Sequence, residues 1–259
     1  MSSNPPQENC CAKVTFHSGE PKGSVSNIAG LPCYTTSDFS KSAEKVLIIF
    51  TDIFGLGLAN TKLVADSFAA HLGYPVIIPD ILCNDPYIMG DDFNEWFGKH
   101  PAELTVSILK GFFEKFKTEL SNVQFVSGIG YCFGAKYLAH YLTKESGVIN
   151  VGAFAHPSFV TDEELKAIDK PLIISCAETD TIFTKDLRYK SEDILKENKI
   201  HYQFDLYSHT EHGFAVRGDL SIPEVRYAAE KALKDQVDFF KFHQKWVSCR
   251  VDLLDFLLD

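Results

Sequence analysis

The chain has 259 residues, 45% of them hydrophobic and including 21 Phe and 10 Tyr, so it carries enough apolar mass for a sizeable core and is not a disordered polymer. A formal net charge of -10 with no basic stripe excludes a dedicated nucleic-acid surface. The start, "MSSNPPQENCC", lacks the basic residues and apolar core of a secretory signal, and no apolar run approaches membrane-spanning length, so a cytoplasmic protein with no membrane partner is expected.

In chain order, the first forty residues are polar and turn-rich, and "VSNIAGLPCYTT" alternates loosely, which suggests a hairpin at a sheet edge. Short β-rich apolar runs then occupy 46–50, 75–79, 123–129, 149–155, 171–176 and 201–207. Helical spacing occupies 58–72, 102–120, 133–144, 162–168, 185–198 and 223–246. "VLIIF" and "PVIIP" are apolar at consecutive positions, as in strands of a parallel sheet covered by helices on both faces. Thr161 followed three residues later by Glu164 reads as a capping box at a helix start. No repeat or Gly/Ser linker divides the chain, so one α/β domain over 1–259 is expected, with a mostly parallel central sheet.

The segment 83–101 fits neither period and carries Pro86, Tyr87, Phe93, Trp96 and Phe97. It reads either as a cap over a binding site at a strand end or as a surface connection with aromatic anchors. The seven cysteines have no metal-ligand spacing, so reduced thiols are expected, with neither a disulfide framework nor a zinc site. The apolar end "SCRVDLLDFLLD" reads as a docked helix or as a contact with a second copy, leaving monomer and homodimer both open.

Chemistry concentrates at "FVSGIGYCFGA". Cys132 lies between a strand and a helix, with Gly130 and Gly134 two positions either side, which is the spacing of a nucleophile elbow with cysteine in place of serine. A thiolate at a helix start is favoured by the helix dipole. Such an elbow requires an acid and then a histidine from loops after later strands. Asp180 in "AETDTIF" and His212 in "SHTEHGF" occupy those loops, with Glu178 and Asp186 as rival acids and His209 as a rival base. Asp180 is preferred because it lies just past the strand end, and His212 because Gly213 lets its loop turn inward. The oxyanion donors expected are the backbone N–H groups of Phe133, after the nucleophile, and of Ile53, in "VLIIFTDIFGLG". Asp52 beside Ile53 brings a carboxylate near the thiol or serves as a turn residue. His156 in "FAHPSF" lines the pocket or is a structural histidine bonded to a neighbouring backbone group. Trp96, Phe97, Phe159 and Phe183 are apolar walls or core.

"GYCFGA", "TDIFGL", "ETDTIF" and "HGFAVRGD" together resemble the dienelactone hydrolase family of α/β-hydrolases, and "FNEWFGKHPAEL" and "AHPSF" resemble its fungal branch. The resemblance spans about 46–246. It implies an α/β-hydrolase fold, Cys132 as nucleophile, Asp180 orienting His212, and His212 as base, with no cofactor. The family has Glu where this chain has Asp52, a position that takes part in controlling the thiol's ionisation. Its bacterial members bind the substrate carboxylate with arginines, and Arg217 lies near the place of one of them. The expected partner is a small-molecule ester, lactone or thioester. A non-catalytic or redox-sensing protein that retains the fold is the competing reading.

Overall fold

The computed structural model describes residues 14–36 and 39–256, with side chains through 245. The elements run β1 (Ser24–Ile28), β2 (Leu31–Thr35), β3 (Lys45–Phe50), α1 (Ala59–Leu72), β4 (Val76–Pro79), α2 (Phe93–Lys99), α3 (Ala102–Glu119), β5 (Phe125–Tyr131) and α4 (Gly134–Ala139). They continue with β6 (Val151–Ala155), α5 (Asp162–Ala167), β7 (Leu172–Thr179), α6 (Lys185–Glu197), β8 (Tyr202–Glu211), α7 (Phe214–Arg217) and α8 (Pro223–Phe256).

The eight strands form one sheet in the order β1-β2-β4-β3-β5-β6-β7-β8, parallel from β4 to β8 and antiparallel at the β1-β2-β4 edge. The edge hairpin expected from the polar start is there. Its two-residue turn, Ala29 and Gly30, has both residues at positive φ (51° and 84°), the backbone that suits a tight hairpin. β3 explains why "VLIIF" lacks alternation. Val46, Ile48 and Phe50 enter the core beneath α3 and α4, while Leu47 and Ile49 enter the core beneath α1 and α8. Burying both faces of one strand leaves no position for a polar side chain.

Four segments differ from the sequence expectation, among them α8, which runs to Phe256 where helical spacing predicts an end at 246. The helix expected over 133–144 spans only Gly134–Ala139, because Tyr141 and Leu142 bond back three residues, to Leu138 and Ala139, and tighten the chain into a turn. Within 83–101 a short helix, α2, starts at Asp92, whose Oδ1 accepts from the N–H groups of Asn94 and Glu95. β8 continues past 207 to Glu211. The Thr161 capping box forms as expected, with both reciprocal bonds present.

No helix among the described residues is long and apolar enough to cross a membrane. Cys33, Cys83, Cys132 and Cys176 are free thiols, whereas Cys10, Cys11 and the Cys249 side chain lie outside the described residues. The side chains of the apolar end, on which the docked-helix expectation rests, also lie outside them.

Candidate active site

Parallel strands send the residues that follow them to one edge of the sheet, so Asp52 (after β3), Cys132 (after β5), His156 and Ser158 (after β6), Asp180 (after β7) and His212 (after β8) all gather at the carboxyl edge. Cys132 has φ 49°, a left-handed backbone that a non-glycine residue rarely adopts. Its N–H donates to the Ala155 carbonyl at 3.1 Å, and its own carbonyl accepts from Ala135 at 3.2 Å and Ser158 at 2.9 Å. The flanking glycines are sterically required. A Cβ at Gly134 would lie 2.1 Å from the Phe50 carbonyl oxygen, and one at Gly130 would lie 2.5 Å from Ala135 Cα.

The junction of β7 and β8 selects between the rival acids and bases. After a register shift, Thr179 pairs with Glu211, so the next residue of each strand, Asp180 and His212, emerge side by side. Asp180 Oδ2 accepts from His212 Nδ1 at 2.8 Å, and Asp180 Oδ1 accepts from the N–H groups of Ile182 and Phe183, both at 2.9 Å. His209 falls within the irregular stretch with φ 58°, and its N–H donates to Glu178. Glu178 is therefore engaged by the His209 backbone, and Asp186 lies exposed on α6.

On its other side the His212 ring meets Ser158 and Cys132. Ser158 Oγ lies 3.4 Å from His212 Nε2 and 3.2 Å from Cys132 Sγ, with the serine buried. Burial alone would lower the His212 pKa. The negative charge of the Cys132 sulfur and the hydrogen bonds to Asp180 and Cys132 outweigh it and raise the value to about 9. Ser158 is the residue that motif reading missed. It sits in "AHPSF" beyond a strand end, and only its position at the shared sheet edge could have pointed to it.

Asp52 is fully enclosed. Its Oδ1 accepts from Phe54 N–H at 3.0 Å and its Oδ2 from Arg217 Nε at 3.3 Å. Burial pushes its carboxyl up to about 6. Arg217 opposes that rise, and the charge on Cys132 adds to it. Arg217 itself is buried on α7 with its guanidinium 5.7 Å above the Phe54 ring. Ile53 and Phe133 are both buried, and among the described residues neither N–H donates to another backbone group.

His156 departs from the expectation of a ring bonded to backbone. Both ring nitrogens lack a hydrogen-bond partner, because the ring is enclosed by Tyr131, Phe214 and His212 at centroid distances of 5.9, 5.8 and 5.1 Å. Burial, and then the positive charges of His212 and Arg217, hold its pKa well below the usual histidine value. Trp96 is anchored within the 83–101 segment. Its Nε1 donates to the Asp85 carbonyl at 2.9 Å, its ring stacks on His100 at 4.2 Å, and its edge approaches Phe133 at 6.3 Å. The segment is tied to the Asp52 loop by Tyr87 N–H donating to the Ile53 carbonyl at 2.8 Å. No cluster of three His, Cys, Asp or Glu among the described residues could hold a metal ion.

A doubly covered parallel sheet with these groups converging on its carboxyl edge defines an α/β-hydrolase. The model of the dienelactone hydrolase family matches residues 33–244. The hydrolase pyvD of Aspergillus violaceofuscus is 36% identical over 95% of this chain and 100% of its own length. Dienlactone hydrolase 1 of Gibberella moniliformis is 32% identical over 92% of this chain and 94% of its own. Among solved structures, carboxyl esterase 2 of Tuber melanosporum aligns with a TM-score of 0.62 at 12% identity, covering 92% of both chains, which is a likeness of fold. The chain belongs to the dienelactone hydrolase family, and it is an enzyme that hydrolyses ester bonds.

Proposed function

We propose that the enzyme hydrolyses a small lactone, ester or thioester through an acyl-cysteine intermediate. Cys132 thiolate attacks the carbonyl carbon, and the oxyanion is held by the N–H groups of Ile53 and Phe133. His212 gives its Nε2 proton to the leaving oxygen or sulfur. The neutral imidazole then takes a proton from the water that attacks the acyl carbon, and the thiolate departs as the carboxylic acid forms. Asp180 fixes the tautomer and tilt of the ring throughout. The observation that carries this reading is the 2.8 Å Asp180–His212 bond, formed by the residues that immediately follow β7 and β8, on the edge where Cys132 stands at positive φ.

Arg217 serves this site through Asp52, neutralising a carboxylate that would otherwise oppose the thiolate. His156 backs the His212 ring. Segment 83–101 is a cap. It carries Trp96 against Phe133, the residue after Cys132, and Phe97 against Phe159, the residue after Ser158, at 5.5 Å in the second case. Cys132 is wholly enclosed, so substrate entry requires the cap to move. Between 157–160 and 181–183, the loops on either side of Ser158 and Asp180, lies a groove walled by Phe159, Val160, Ile182 and Phe183, suited to an apolar substituent of the substrate.

Stopped-flow turnover of p-nitrophenyl esters, dienelactone and acyl thioesters, comparing wild type with Cys132→Ala and His212→Ala, tests the proposal. Turnover that both substitutions abolish is the expected result. Turnover that survives Cys132→Ala would overturn the cysteine mechanism.

A further inference from the structure

The hydroxyl of Ser158 touches the two atoms that exchange the catalytic proton. Its Oγ is 3.2 Å from Cys132 Sγ and 3.4 Å from His212 Nε2, and its backbone N–H donates to the Cys132 carbonyl at 2.9 Å. The loop that brings it there is bent at both ends, with His156 at φ 38° and Phe159 at φ 60°. It is also clamped to the nucleophile's own helix, since Lys136 of α4 donates to the Phe159 carbonyl and pairs with Glu164, the capping-box residue of α5. The side chain is therefore fixed relative to the sulfur by two independent routes.

The surrounding charges leave a task for this hydroxyl. Asp52, from the β3 side, can only accept hydrogen bonds when ionised, so it has no donor for a thiolate and repels it. Its oxygens are already engaged by Phe54 N–H and Arg217. Arg217, from α7, is bonded to that carboxylate. His156, from β6, is uncharged at neutral pH. His212 carries the countercharge, with Asp180 behind it. We propose that Ser158 is a positioning residue that holds the Cys132 thiolate and His212 imidazolium together, its O–H donating to Sγ and its Oγ accepting from Nε2–H. The proton that leaves Sγ resides on Nε2, and no other group changes its charge. A hydrogen bond to an ionised partner is about twice as strong as a neutral one, so losing it destabilises the thiolate relative to the thiol.

The inference rests on the hydrolase reading, but its test does not need turnover. The thiolate absorbance near 240 nm is titrated for wild type, Ser158→Ala and Ser158→Thr, each against the same protein carrying Cys132→Ala, so that the difference isolates one sulfur. Ala keeps the backbone N–H bond and removes only the hydroxyl, whereas Thr retains the hydroxyl. The expected result is that the Cys132 inflection of Ser158→Ala moves up by about one pH unit or more, which is at least about a tenfold loss of thiolate on the acid limb. Ser158→Thr should lie nearer wild type. An unchanged inflection in Ser158→Ala, or equal displacement in Ala and Thr, would overturn the assignment. A displaced inflection in an enzyme without ester turnover would sink the hydrolase mechanism and leave Ser158's role intact. Normal turnover with an unmoved inflection would do the reverse.

Discussion

Asp180 and Asp52 are aspartates within two residues of a strand end, both with buried side chains and both bonded to a basic side chain, yet their surroundings differ. Asp180 receives three hydrogen bonds, from Ile182, Phe183 and His212, all at 2.8–2.9 Å. Asp52 receives one backbone bond at 3.0 Å and a longer 3.3 Å bond from Arg217, and it also faces the charge of Cys132. The comparison teaches that a buried carboxylate takes its behaviour from its donors. Well supplied, it is held in one orientation against an imidazole; poorly supplied and beside the sulfur, its carboxyl is pushed up by burial.

The sharpest way to break this comparison is to neutralise each carboxylate without changing its shape. Asp180→Asn removes the acceptor that selects the His212 tautomer, and kcat should fall by about 10⁴, while Asp52→Asn should cost far less. Equal losses in steady-state kinetics would erase the distinction. Stability probes the other side of it. Asp52→Ala leaves the Arg217 guanidinium buried without its carboxylate and should cost about 3–5 kcal/mol in urea unfolding. Asp52→Ala combined with Arg217→Met should recover most of that loss, and additive losses in the double variant would contradict the pairing.

The smallest expected effect is a pH dependence. The His212 pKa is raised in the folded state to about 9, above its unfolded value of about 6.5, so in the folded protein the imidazole keeps a proton that the same histidine releases in the unfolded chain. The stabilisation is fully present below about pH 6.5 and is lost as pH rises through about 9. The difference in Tm between wild type and His212→Gln should therefore narrow over that window. A gap that widens with pH would mean that the imidazole is held neutral.

Much of this arrangement is legible in the chain because its signals are local. Consecutive apolar residues at 46–50 require a doubly buried strand, and Gly130 and Gly134 bracket Cys132 because no Cβ fits there. Thr161 and Glu164 cap a helix by contacts three residues apart. What the chain hides depends on distance in space. The bulge that aligns Asp180 with His212, and gives Glu178 to His209 instead, is a register between two strands and not a motif. Ser158 meets Cys132 only because β5 and β6 are neighbours, and Arg217 meets Asp52 across 165 positions of sequence.

The central claim is that the acyl group is carried on Cys132, and rapid acid quench of enzyme with ester, followed by mass spectrometry of the proteolysed protein, tests it most directly. The expected result is an acyl adduct on the peptide containing Cys132, accumulating within the first turnover and absent in Cys132→Ala. Full turnover with no adduct there, or with the adduct on the peptide containing Ser158, would contradict it.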